Sequence, residues 1–160
     1  MLKFRSQLLL EEQIFLYDVW RLAAIDQPMP SRSAFSICAI GPLLPYLSLI
    51  DFCEKKSPPR IRLTGSGLRD VFGDDPSEIL TKTGIPGSLD TIGAVASAKK
   101  PMAGAVQLDG SNRVRVWMRL PLGKDGRVES VLGLDLNVAA SRAQNWTLGE
   151  VLRQANKSAY

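Results

Sequence analysis

The sequence predicts an α+β domain: a five-stranded antiparallel sheet with short helices on one face and an N-terminal helix. Three observations carry this. An uninterrupted amphipathic stretch opens the chain. Two strand-like runs are joined by a polar, proline-bearing loop, and three more follow after a helical insertion. Hairpins on either side of such an insertion give an antiparallel rather than a parallel sheet.

Composition sets the bounds. The chain has 160 residues, enough for one domain with a real core, and 45% hydrophobic with 22% charged residues is ordinary for a globular protein. No apolar run approaches a bilayer span. The start, MLKFRSQLLLEEQIF, is interrupted by Glu11 and Glu12 and lacks a cleavage pattern, so the expectation is a cytoplasmic protein without a signal peptide. A net charge of +4 permits contact with anions without requiring it. Histidine is absent. That removes Ser-His and Cys-His nucleophile pairs, His-containing zinc motifs and His-ligated haem. Cys38 and Cys53 have no metal-ligand spacing and read as reduced, partly buried thiols.

Residues 6–25 contain no proline or glycine and read as one helix. Leu9, Leu16, Trp20 and Ala23 form one stripe, flanked by Leu10, Ile14, Tyr17 and Ala24. Phe15, Val19 and Leu22 form a second apolar face nearly opposite. That face is expected to meet a second subunit, making a homodimer, or later parts of the same chain. Pro28 and Pro30 stop the helix. IGPLLPY is a short turn or helix. Leu47 to Cys53 is a strand, and RIRLT at 60–64 returns with Ile61 and Leu63 inward. Between 65 and 100, short helices alternate with glycine and proline; Ser88 is placed to cap the last of them. Strands are expected at Met102–Leu108, Arg113–Leu120 and Val128–Leu136. Thr147 and Glu150 suggest a capping box for a short terminal helix.

Three features invite a chemical reading. Gly65-Ser66-Gly67 follows a strand, but a dinucleotide loop needs a third glycine where Asp70 stands, and no Gly-Lys-Ser/Thr follows. It is read as a turn. Asp74 and Asp75 precede Pro76 and read as a helix start rather than a catalytic pair. In RVRVWMRL, Arg113, Arg115, Trp117 and Arg119 share one face. Such a face could bind nucleic acid or another anion by charge and stacking. The preferred reading is structural: pairing Leu122 with Val128 sets Arg115 opposite Asp135 and Trp117 opposite Gly133. No catalytic residues are assigned, and the chain is not expected to be an enzyme.

The order of elements then meets specific residues. The segments LYDVWRLAAIDQPMPSRSAF, LLPYLSLIDF and RIRLTGSGLRDVFG resemble the PAS-domain superfamily. They look most similar to a bacterial branch first catalogued as a domain of unknown function. The signature positions are Trp20, Pro30 with Arg32, Leu44 with Pro45, Arg62 with Leu63 and Gly65, and Gly73. The likeness covers about 16–136 and departs where the segment Phe35-Ser36-Ile37-Cys38 lacks an Asp-Pro and Pro76-Ser77 follows Asp75 in place of Thr-Gly. The resemblance implies a PAS-like five-stranded sheet and a non-catalytic sensory or regulatory role, exerted through a small molecule or a signalling protein partner. The chain divides into residues 1–28 as an N-terminal helix and candidate dimerisation element, 29–138 as the PAS-like core and 139–160 as a tail with a candidate short helix. A ligand pocket would lie between the apolar sheet face and the middle helices, near Leu63, Ile92, Val116, Met118 and Leu132; the alternative is a dry core. Photoreactive flavin is not expected, because no Asn-Cys-Arg-like motif occurs. The sequence contains no aromatic-rich RNA-binding motif, and nucleic acid is not the expected partner.

Overall fold

The computed structural model describes residues 2–35, 37–52, 58–108 and 110–143. The elements run α1 (Leu2–Ser6), α2 (Glu11–Ala24), a 3₁₀ segment (Ile37–Tyr46), β1 (Leu47–Asp51), β2 (Arg60–Thr64), α3 (Leu68–Phe72), α4 (Pro76–Leu80), α5 (Leu89–Ala98), β3 (Met102–Gln107), β4 (Arg113–Lys124) and β5 (Arg127–Ala139). A second 3₁₀ turn follows at Ala140–Ala143. The expected terminal helix, with Thr147 and Glu150, lies outside the described residues, as does Cys53.

The five strands form one antiparallel sheet in the order β2-β1-β5-β4-β3. This is the PAS-like α+β arrangement, with three short helices inserted between β2 and β3. Adjacent residues of a strand point to opposite faces, and β5 shows what covers each. Leu132 packs in a core with Leu16, Tyr17 and Trp20 of α2. Its neighbour Val131 packs with Leu80, Ile92 and Val95 of α4 and α5. The short helices therefore share one face, and the N-terminal helix covers the other.

The N-terminal stretch is two helices rather than one. Leu8, Leu9 and Leu10 are all buried. Three consecutive residues on an α-helix fan over most of its circumference and cannot all face one core. The chain breaks there, and Gln13 repairs the break. Its Oε1 accepts from the Leu9 and Leu10 amides at 3.0 and 3.2 Å. Its Nε2 donates to the Trp117 carbonyl at 3.2 Å, tying the start of α2 to β4. Further along, the Trp20 indole donates to the Pro121 carbonyl at 2.8 Å. Pro121 itself lies beyond the last β3 pair, Met102 with Arg119, where a strand edge tolerates a residue without an N–H. Ile25 and Asp26, both in the left-handed region, turn the chain out of α2.

Two irregularities alter the expected register. In β1–β2, Leu49 pairs with Leu63 but Ile50 pairs with Ile61, so Arg62 is an extra residue in a bulge. Ile61 and Leu63 consequently face opposite sides, not the same side. Ile61 packs with Ile50, and Leu63 stands 37% exposed. In β4–β5, a two-residue Asp125–Gly126 turn with φ of 55° and 73° joins the strands. Gly123 then pairs with Val128 while Leu122 pairs with Ser130. Leu122 is thus two residues away from the expected partner, Val128. A shift of two keeps every side chain on its expected face, which is why the alternation survives the error.

Candidate functional site

The basic row of β4 faces α3–α5, and most of it is interior. Arg115 is 5% exposed, and Arg119 and Asp135 are fully buried. Asp135 pairs with Trp117 across the strands and lies diagonally between the two arginines. Arg115 Nη1 reaches Asp135 Oδ1 at 3.1 Å, and Arg119 Nη2 reaches the same oxygen at 3.0 Å. Backbone carbonyls take further guanidinium donors. Arg119 donates to Gly87, Met118 and Leu134, and Arg115 to Pro86. The Arg115 guanidinium also lies over the Phe72 ring at 5.4 Å. Burial pulls the Arg115 pKa below its usual value; the Asp135 charge opposes that pull and Arg119 adds to it. Arg113 alone of the row is exposed, and it bonds Asn137 at 2.6 Å. These arginines hold the helical insertion onto the sheet. Arg115 and Arg119 do not form a surface for nucleic acid.

Glycines make room for this network. A Cβ on Gly104 would sit 2.5 Å from Trp117 Cζ2, and one on Gly87 2.9 Å from Trp117 Cγ. A Cβ on Gly133 would sit 3.0 Å from Arg119 Nη1. The expected contact of an aromatic with a cross-strand glycine exists, but on the other neighbouring strand: Trp117 covers Gly104 of β3, and Arg119 takes Gly133. The Gly65-Ser66-Gly67 loop is likewise explained by close approach. A Cβ at Gly65 would meet the Leu44 carbonyl oxygen at 2.3 Å. Asp75 caps α4 by accepting from the Ser77 amide at 3.1 Å. Ser88 makes no capping bond; Thr91 Oγ1 accepts from Gly87 instead.

The opposite face carries a cavity. It measures about 270 Å³ and is walled by Phe35, Leu47, Leu49, Leu122 and Leu132, with Leu63 at its rim. Arg32 and Arg62 are its charged lining residues. Both approach Asp51 at the end of β1. Arg32 Nη1 bonds the two Asp51 oxygens at 3.1 and 3.0 Å, and Arg62 Nη1 stands 3.6 Å from Oδ2. Ser130 on β5 donates to Asp51 Oδ1 at 2.7 Å. The bulge that displaces Ile61 is what turns Arg62 toward this site. The Pro30 carbonyl accepts from the Gly123 amide at 2.9 Å, which holds the Arg32 loop against the β4–β5 hairpin. A wider, more polar hollow of about 600 Å³ opens between Tyr46, Asp70, Arg113, Asn137 and the Glu12–Arg142 ion pair.

The five side chains named for a pocket do not meet. Leu63 and Leu132 line the cavity near Arg32 and Arg62. Val116 and Met118 share that face but are packed beneath α2. Ile92 lies on the other side of the sheet. Alternation sorted the β4 and β5 residues into two sets correctly, but it could not say which set the insertion covers. Asp135 was foreseen as the partner of Arg115, though not of Arg119, and Asp51 was missed; its signal is a carboxylate inside an otherwise apolar strand. On α2, Phe15 is 45% and Leu22 79% exposed, while Val19 is half-buried against the core.

A comparison with protein-family models finds no match, and neither does one with curated proteins. Solved structures of other proteins are similar over much of the chain, two among them as follows. One is the ligand-binding domain of the amino-acid chemoreceptor PctC of Pseudomonas aeruginosa, in complex with GABA. It is 14% identical with a TM-score of 0.39, over 79% of this chain and 51% of that one. The present chain thus spans about half of that domain. The other is the PAS domain of BvgS from Bordetella pertussis, 19% identical with a TM-score of 0.35, over 70% of this chain and 84% of that one. The strand order and the helical insertion, rather than these distant likenesses, establish the PAS-like fold. Among the described residues, no helix is long and apolar enough to cross a membrane.

Proposed function

We propose that this chain is a non-catalytic PAS-like sensory and regulatory domain of the bacterial branch that its signature residues resemble. It acts in the cytoplasm by holding a small molecule or by docking on a signalling protein. The observation that carries the reading is the convergence of Arg32 and Arg62, two signature residues, on Asp51 beside an apolar cavity. Residues 1–28 serve as a dimerisation element on a core spanning 29–138. Within that element Phe15 and Leu22 are the exposed contacts, and Val19 supports them from beneath.

Native mass spectrometry on the freshly purified chain tests this. A small mass released on activation supports the ligand arm. A dimer that Phe15→Glu with Leu22→Glu converts to a folded monomer supports the docking arm. A wild-type monomer free of adducts, whose melting temperature no small molecule raises, overturns the reading.

A further inference from the structure

The geometry points to a particular ligand class for the Arg32–Arg62 cavity: a small aliphatic carboxylate, its headgroup on the two guanidinium groups and its tail among the leucines. This inference rests on the ligand arm of the proposed function. The charge balance is the first reason. Two arginines face one carboxylate, Asp51, which also accepts from Ser130. Among the described residues, one positive charge is left without a partner in the cluster. Donor accounting is the second. Arg32 spends Nη1 on Asp51, and Arg62 at 3.6 Å is an ion pair beyond hydrogen-bonding distance, with 59% of its side chain exposed. Among the described residues, the other edges of both guanidinium groups have no hydrogen-bond partner, and a planar carboxylate matches them.

The walls supply the rest of the specificity. Phe35, Leu49, Leu122 and Leu132 offer no hydrogen bond to a second polar group. A small hydrophilic anion would leave them wet, and a neutral hydrocarbon would leave the guanidinium groups unused. Leu63 at the rim is the large apolar residue of β2 left exposed, and a tail would cover it. The volume lies just under the range of about 300–1,000 Å³ usual for small-molecule sites, so the ligand is small. Among the described residues, Trp117 and the Arg115–Asp135–Arg119 network fill the sheet face beneath α3–α5 along β4.

The test is a titration of the full chain, with ¹³C-labelled leucine and isoleucine methyls, by octanoate, octanol and acetate. Octanoate should give saturable shifts at Leu49, Leu63 and Leu132, with octanol and acetate much weaker. Arg62→Met, an exposed substitution, should weaken octanoate by about tenfold or more, the value of a charge-assisted hydrogen bond, and leave octanol unchanged. Absence of saturable shifts overturns the site, as does octanoate binding indifferent to Arg62→Met. Shifts centred on Ile92 and Leu80 would move the ligand to the other face. If octanoate fails while native mass spectrometry still finds another adduct, this ligand class falls and the sensory reading stands; an adduct-free, unresponsive monomer sinks both.

Discussion

Replacing Asp135 by asparagine separates buried charge from buried shape. The side chain keeps its volume but loses the charge that balances Arg115 and Arg119. Both ion pairs are interior, with side-chain exposures of 6% and 0% for Arg115 and Asp135 and 0% for Arg119. Breaking a buried pair by removing one partner costs about 3–5 kcal/mol, because a charge is left uncompensated. Here the carbonyls of Pro86, Gly87, Met118 and Leu134 go on accepting from the guanidinium groups. The loss should therefore fall at the lower end, about 3 kcal/mol. Against a typical stability of about 5–15 kcal/mol the variant should still fold. Urea unfolding should show its midpoint lowered by about 1–2 M with an unchanged slope. Arg115→Met should cost less in the Asp135→Asn background than alone, since the two residues interact directly. A loss under about 1 kcal/mol, or strict additivity, would refute the claim that Asp135 compensates these arginines.

Two further predictions concern packing and pH. Gly104→Ala puts a methyl 2.5 Å from the Trp117 ring and should cost about 1–3 kcal/mol by overpacking. Thermal unfolding should show the loss, and Trp117→Leu in the same chain should recover part of it; no recovery would place the strain elsewhere. Burial raises the Tyr17 phenol above its ordinary value of 10.0, outweighing the opposing charge of Arg21. A raised pKa means the folded state holds the proton more tightly. The Tyr17 contribution is thus fully present below about pH 10 and lost as pH rises through the folded value. Tyr17→Phe should flatten the alkaline decline measured by denaturant titration, and an identical decline in both proteins would contradict the assignment.

Much of the architecture was legible in the sequence because it depends on local periodicity. The alternation in RVRVWMRL put Val116 and Met118 on one face and the arginines on the other, and a two-residue register error left that sorting intact. The Leu16, Tyr17 and Trp20 stripe was visible at helical spacing and is the buried face of α2. Asp75 before Pro76 announced a helix start, as the capping bond to Ser77 confirms. Each of these features is decided within a few residues by backbone geometry.

Other features were settled by contacts distant in sequence. No local signal breaks the helix at Leu8–Leu10; the break exists because three leucines reach one core and Gln13 bonds across to β4. The bulge at Arg62 and the extra residue before Ser130 were hidden, because a single insertion leaves composition unchanged while altering pairing. That bulge separates Ile61 from Leu63 and brings Arg62 to Asp51, so the cavity and its charge arise from pairing, not pattern. The sequence by itself thus determined the order of strands and helices and, where no bulge intervenes, which face each side chain shares. Tertiary structure decided which face each helix covers and which charges are buried together, because burial depends on what packs above a residue, not on its neighbours along the chain.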